Sequence, residues 1–127
     1  MAPGRTGRCG VRKNVGGRLL ALTYGRPAAV QVDPIEKKPL YHFLPGTWTY
    51  SLGTVGCNLS CLFCQNYELS TGTLEVAAAA SGPEIRPDQI VAAARRETCA
   101  SVALTYNERR CGRNTAATLP WRRTGPA

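Results

Sequence analysis

Thr47-Trp-Thr-Tyr-Ser-Leu-Gly-Thr-Val-Gly-Cys-Asn-Leu-Ser-Cys-Leu-Phe-Cys64 is the stretch on which the reading of this chain turns. Its first half, Thr47 to Thr54, alternates as a β-strand does. Its second half is a loop carrying Cys57, Cys61 and Cys64 at C-x3-C-x2-C spacing, with the aromatic Phe63 just before the last cysteine. A structural zinc wants a fourth protein ligand, and most iron–sulfur clusters are held by four cysteines. Three thiolates on a four-iron cluster would leave one iron open to a small molecule. Gly56, next to the first cysteine, lets backbone come close to whatever the loop holds.

Downstream, Pro87 suits the first position of a helix, and Ile90, Val91 and Ala94 fall at helical spacing through to Glu97. Ser101-Val-Ala-Leu-Thr105 then reads as another buried strand. Upstream, Arg18–Tyr24 and Ala28–Val32 are apolar runs joined by Gly25-Arg-Pro27, the pattern of a hairpin, and Asn14–Gly17 reads as a turn. Asp33-Pro34 stops the second run, because proline removes a ladder donor and restricts its neighbour. Ile35–Gly46 reads as an irregular loop with the only histidine, His42, and the adjacent Lys37 and Lys38. Strand, chemical loop, helix, strand is the opening of a parallel α/β sheet or β/α barrel, whose functional residues sit on the loops after the strands.

At 127 residues the chain holds one modest domain. Its net charge of +8 belongs to the two ends. Arg5, Arg8, Arg12, Lys13 and Arg18 are unaccompanied by acids up to Arg18, and Arg109, Arg110, Arg113, Arg122 and Arg123 likewise beyond Glu108. Between them six basic residues face eight acidic ones, so a basic nucleic-acid face is not indicated. Met1–Gly10 has no apolar leader, and the longest apolar run, Val76–Ala80, is far too short to span a bilayer. The expectation is a cytoplasmic chain with no nucleic-acid or membrane partner, whose cysteines serve metal or redox chemistry rather than disulfides.

Gly10-Val-Arg-Lys-Asn14, Tyr24-Gly25, Asp33-Pro-Ile-Glu-Lys-Lys-Pro-Leu40, His42-Phe-Leu-Pro-Gly46, Ser51-Leu-Gly-Thr-Val-Gly-Cys-Asn58, Phe63-Cys-Gln-Asn66 and Thr105-Tyr-Asn-Glu108 together resemble the AmmeMemoRadiSam-system radical S-adenosylmethionine (radical SAM) enzymes. That family is related to pyruvate formate-lyase activating enzymes. The resemblance implies a [4Fe-4S] cluster held by Cys57, Cys61 and Cys64, with S-adenosylmethionine on the open iron. It implies Phe63 meeting the adenine, and Asn107 and Glu108 as further cofactor-binding residues at the end of the second barrel strand. It also implies reductive cleavage to a 5′-deoxyadenosyl radical, fed by a flavodoxin- or ferredoxin-like electron donor and acting on a substrate the sequence does not name. No residue stands out as catalytic apart from these cofactor contacts.

The fold expected is α/β: an N-terminal β-hairpin and loop region over 1–46, then over 47–108 the first βαβ portion of an incomplete radical SAM (β/α) barrel. Residues 109–127 depart from the family. Where it continues Asn-Glu-Pro, this chain has Arg109-Arg-Cys-Gly-Arg-Asn114, the arginine-rich composition of a GC-rich gene read out of frame. GC-rich codons chosen for Glu108 to Pro126 can, read one frame over, spell Pro-Val-Trp-Ala-Glu-Tyr-Gly-Arg-Asp-Leu-Ala after the glutamate, so a frameshift there is an expectation that the coding DNA tests. A disordered tail is expected there, and further family cysteines lie upstream of the position of Cys9. Full barrels run to about 250 residues, so two barrel strands would keep open edges and an uncovered apolar face. The isolated chain is therefore expected to be poorly folded or aggregation-prone.

Other readings stand beside these. The three cysteines could belong to a zinc site completed by His42 or Cys99, or Phe63 could be simple core. Cys99 also reads as buried packing, Trp48 and Tyr50 as alternating strand faces rather than a binding platform, and Lys37 and Lys38 as a solvated turn. For the whole chain, the alternatives are an inactive fragment with residual metal binding and a basic zinc-binding module for nucleic acid.

Overall fold

Gly16 and Gly17, with φ of +57° and +82°, make the two-residue turn that starts the fold. Positive φ at both central residues is what a tight hairpin needs to match strand twist. It joins β1 (Arg12–Val15) to β2 (Arg18–Ala21), with Val15 opposite Arg18. The expected hairpin between Arg18–Tyr24 and Ala28–Val32 does not form. β2 pairs backwards with β1, while β3 (Ala29–Pro34) pairs with β4 (Trp48–Gly53). Of Gly25-Arg-Pro27 only Gly25 has positive φ (+68°), so that segment lacks the geometry of the two-residue turn upstream.

The computed structural model describes residues 1–75 and 84–107. The run Val76–Ala80, Glu108, Cys111 and the expected out-of-frame tail lie outside the described residues. A three-stranded mixed sheet has the order β3–β4–β5, with β5 at Ser101–Leu104. β3 is antiparallel to β4, and β5 is parallel to it, Thr49 facing Ser101 and Leu52 facing Leu104. β3 runs as far as Pro34, a residue tolerated on an edge strand, and a short 3-10 helix follows at Ile35–Lys37. The chain is thus α/β, a two-stranded hairpin beside an open mixed sheet.

After the cysteine loop comes a short helix, α1 (Tyr67–Thr71), and then α2 (Pro87–Arg96) leads into β5. Pro87 sits in the first turn of α2 as expected, and Ile90, Val91 and Ala94 are its buried face. Alternation sorts the sheet into two faces. One carries Val30, Val32, Tyr50, Leu52, Val102 and Leu104, and the other Asp33, Thr49, Ser51, Gly53 and Ser101. Trp48 and Tyr50, two residues apart, therefore share the apolar face, with Trp48 half exposed. Val30 and Val32 on edge strand β3 are each 37% exposed, so that face is only partly covered among the described residues. No helix among the described residues is long and apolar enough to cross a membrane.

Candidate metal centre

Because β4 and β5 are parallel, their carboxyl ends point the same way. The cysteine loop leaves β4 there, and Thr105–Asn107 leave β5 there, at the end where open α/β sheets bind ligands. Thr105 N–H donates to the Leu52 carbonyl at 2.9 Å, extending the pairing by one residue and bringing Tyr106 and Asn107 up to the loop.

Three fastenings hold the start of the loop. Asn107 Nδ2 donates to the carbonyl oxygens of Thr54 at 2.8 Å and Gly56 at 2.9 Å, and reaches Thr54 Oγ1 at 3.2 Å. Gly56 N–H donates to the Leu69 carbonyl in α1 at 2.8 Å. Gly56 itself has φ of +83°, and a Cβ there would run into the Cys9 carbonyl oxygen and stand 2.7 Å from Val11 Cγ1. Only glycine fits where the amino-terminal segment presses on the loop. Val11 and Val55 are buried together there, with Cys9, Ala28 and Leu74 packed against them. Further along, Arg8 Nη2 donates to Ser60 Oγ at 3.2 Å.

The thiols are unequal. Cys57 and Cys64 are half-buried and Cys61 is exposed. Leu59 N–H donates to Cys57 Sγ at 3.5 Å, and Cys64 Sγ lies 3.6 Å from Ser70 Oγ. Among the described residues no three His, Cys, Asp or Glu side chains gather about one point, so the loop as it stands does not form a closed metal cage. The donor set nonetheless suits an iron–sulfur cluster: three thiols within one short loop, one of them already taking a backbone N–H, the contact that tunes cluster sulfurs. Cys99 cannot close a zinc site with them. It is buried after α2, where Ala100 N–H donates to the Trp48 carbonyl, at the opposite end of β4 from the loop. His42 lies on the connection that enters that same far end.

Phe63 is 87% exposed, which overturns its reading as core, and Leu62 beside it is wholly exposed. Asn107 lies beside the loop, and its amide nitrogen is engaged by backbone carbonyls.

A second polar cluster lies on the face of the sheet that carries Ser51. Asp33 is buried, with Lys38 Nζ at 2.6 Å and Lys37 Nζ at 2.9 Å from its two carboxylate oxygens. The Tyr106 hydroxyl donates to Asp33 Oδ2 at 3.0 Å, and Lys38 Nζ sits 5.1 Å from the Tyr106 ring centre. The solvated-turn reading therefore fails for Lys38, whose side chain is only 10% exposed, and holds for Lys37 at 61%. Burial alone would raise the Asp33 carboxyl, but Lys38, Lys37 and the Tyr106 hydroxyl hold it well below the usual carboxylate range. Burial and the Asp33 hydrogen bond push the Tyr106 phenol up. Tyr106 has φ of +74°, a conformation costing a non-glycine residue about 1–3 kcal/mol. The Asp33 bond on one side and the Asn107 bonds on the other hold it there. Sequence reading missed this cluster, although the i, i+4 spacing of Asp33 and Lys37 was a local signal for part of it.

Fold and loop together define an α/β chain with three cysteines at the carboxyl end of its parallel strand pair. It is similar to an uncharacterized protein of Methanocaldococcus jannaschii, 41% identical over 105 residues that take in 83% of this chain and 31% of that relative. The chain thus spans about a third of the length of the curated relative it matches. No family model matches it, and no solved structure does.

Proposed function

We infer that this chain is the cluster-binding portion of a radical SAM protein of the AmmeMemoRadiSam type, and that its sheet is the opening of a partial (β/α) barrel. The observation that carries the reading is the position of Cys57, Cys61 and Cys64 on one loop at the carboxyl end of two parallel strands. In this reading the three side chains, as thiolates, hold a [4Fe-4S] cluster and leave one iron to S-adenosylmethionine. When bound, the cluster supplies one electron for reductive cleavage of the cofactor's carbon–sulfur bond.

The chain's own residues bind and orient. The exposed ring of Phe63, next to Cys64, offers an apolar face to an adenine. Leu59 and Leu62, both exposed on the loop, would offer apolar contact to a flavodoxin- or ferredoxin-like donor. Gly56 and Asn107 fix where the loop begins. Glu108 follows directly in sequence as a candidate for the cofactor's amino group.

A second reading, metal binding without turnover, draws on the open sheet and the part-exposed Val30 and Val32. Anaerobic reconstitution followed by reduction with S-adenosylmethionine separates the two. About four irons and four sulfides per chain, with release of 5′-deoxyadenosine, support the enzyme. Iron or zinc retained without 5′-deoxyadenosine supports the second reading, and a chain that retains neither metal sinks both.

A further inference from the structure

The amide of Asn107 is bonded to the two carbonyls that bracket Val55, immediately before the first cysteine. An asparagine amide has two N–H donors, and Thr54 O at 2.8 Å with Gly56 O at 2.9 Å accounts for both. Buried carbonyls that leave a strand need such partners, and here one side chain from the neighbouring strand supplies them. The same residue follows Tyr106, whose φ of +74° turns the chain back so that its ring crosses Gly53 and its hydroxyl reaches Asp33. A Cβ on Gly53 would stand 2.7 Å from Tyr106 Cδ2, so the side chain sits close against the strand that feeds the loop. Asp33, Tyr106 and Asn107 thus form a brace across all three strands, ending on the backbone of Gly56.

We propose that Asn107 is a positioning residue: it sets the take-off of the cysteine loop through the Thr54 and Gly56 carbonyls, and does not itself touch the cofactor. The positioning claim stands on the metal-free chain; only its spectroscopic test rests on the cluster reading above. Without Asn107, the loop opens more readily at its root, and the half-buried thiols of Cys57 and Cys64 lose cover. Cys61, already exposed, and Cys99, buried at the far end of the sheet, are not affected.

The test is alkylation of the metal-free chain by iodoacetamide, followed cysteine by cysteine by mass spectrometry, for wild type, Asn107→Ala and the isosteric Asn107→Asp. Both variants are expected to speed Cys57 and Cys64 by about tenfold, the scale of two lost hydrogen bonds, with Cys61 and Cys99 unchanged. Equal rates in all three chains overturn the proposal. If Cys99 also reacts, the variant has unfolded, and the wild-type chain decides. Its asparagine side chains, 15N-labelled, must then include one amide, Asn107, whose protons exchange slowly with solvent; rapid exchange of all of them overturns the proposal. In reconstituted protein, Asn107→Asp is expected to alter the electron paramagnetic resonance line shape of the reduced cluster while added S-adenosylmethionine still shifts it. A variant that keeps the wild-type line shape and alkylation rates but no longer responds to S-adenosylmethionine makes Asn107 a cofactor ligand instead. A wild-type chain that binds no cluster yet shows the alkylation pattern removes the cluster reading and leaves the brace in place.

Discussion

The Tyr106 hydroxyl donates to Asp33 Oδ2 at 3.0 Å across 73 positions of sequence, tying the segment after β5 to the far edge strand β3. The bond crosses the polar face of β4, above Ser51, and Lys38 closes over it. Removing the Asp33 charge would strand the largely buried Lys38 ammonium, which costs about 3–5 kcal/mol in such pairs. The carboxyl lies low in the folded chain, against about 3.9 unfolded. Its contribution is therefore full above about pH 4 and fades as pH falls towards the depressed folded value. Urea midpoints measured from pH 7 down to pH 2 should fall steeply for wild type and much less for Asp33→Asn, which starts lower. Parallel curves would remove the buried ion pair from the account. Lys37→Ala, at the exposed arm, should cost no more than about 1 kcal/mol.

Two tyrosines should ionise late. Burial, with Glu97 nearby, raises Tyr50, and burial with the Asp33 bond raises Tyr106. A raised phenol favours the neutral form in the fold, so its contribution is full below about pH 10 and is lost above. Ultraviolet titration should show two late phenols in wild type and one in Tyr106→Phe. Gly53→Ala should return Tyr106 towards the ordinary range, because the new methyl would occupy the place of its ring edge. A titration unchanged by Gly53→Ala would mean that the ring does not lie on the strand.

Gly56→Ala should separate the amino-terminal segment from the cysteine loop. The positive φ alone costs about 1–2 kcal/mol for an L-residue, and the new methyl would meet the Cys9 carbonyl. Trypsin should then cut after Arg8 faster than in wild type. Unchanged cleavage would show that the segment does not depend on this contact.

Serine substitutions sort the cysteines. Cys57→Ser, Cys61→Ser or Cys64→Ser should each strip iron retention after anaerobic reconstitution. Cys99→Ser should leave it unchanged, since that thiol is buried at the far end of β4. Iron loss in the Cys99 variant, with circular dichroism unaltered, would count against the loop as the ligand set.

What sequence made legible was local. The alternation before Cys57, the helical spacing of Ile90, Val91 and Ala94 with Pro87 at the start, and the strand at Ser101 all became elements where expected. The hairpin was misplaced because two turn-like segments, Asn14–Gly17 and Gly25–Pro27, flank β2, and pattern alone does not rank them. The paired positive φ of Gly16 and Gly17 does. Lys38 read as solvent-facing because its partners, Asp33 and Tyr106, come together only once β3 and the segment after β5 lie on either side of β4. The same holds for Asn107. Its motif drew attention to it, but the carbonyls it serves are 51 to 53 positions away in sequence.

The most direct measurement is electron paramagnetic resonance of the anaerobically reconstituted, reduced chain, recorded with and without S-adenosylmethionine. The proposed function predicts a [4Fe-4S] signal that requires Cys57, Cys61 and Cys64 and that S-adenosylmethionine changes, because three thiolates would leave the fourth iron open to it. A signal indifferent to S-adenosylmethionine, or one that persists when any of the three cysteines is replaced, would contradict it.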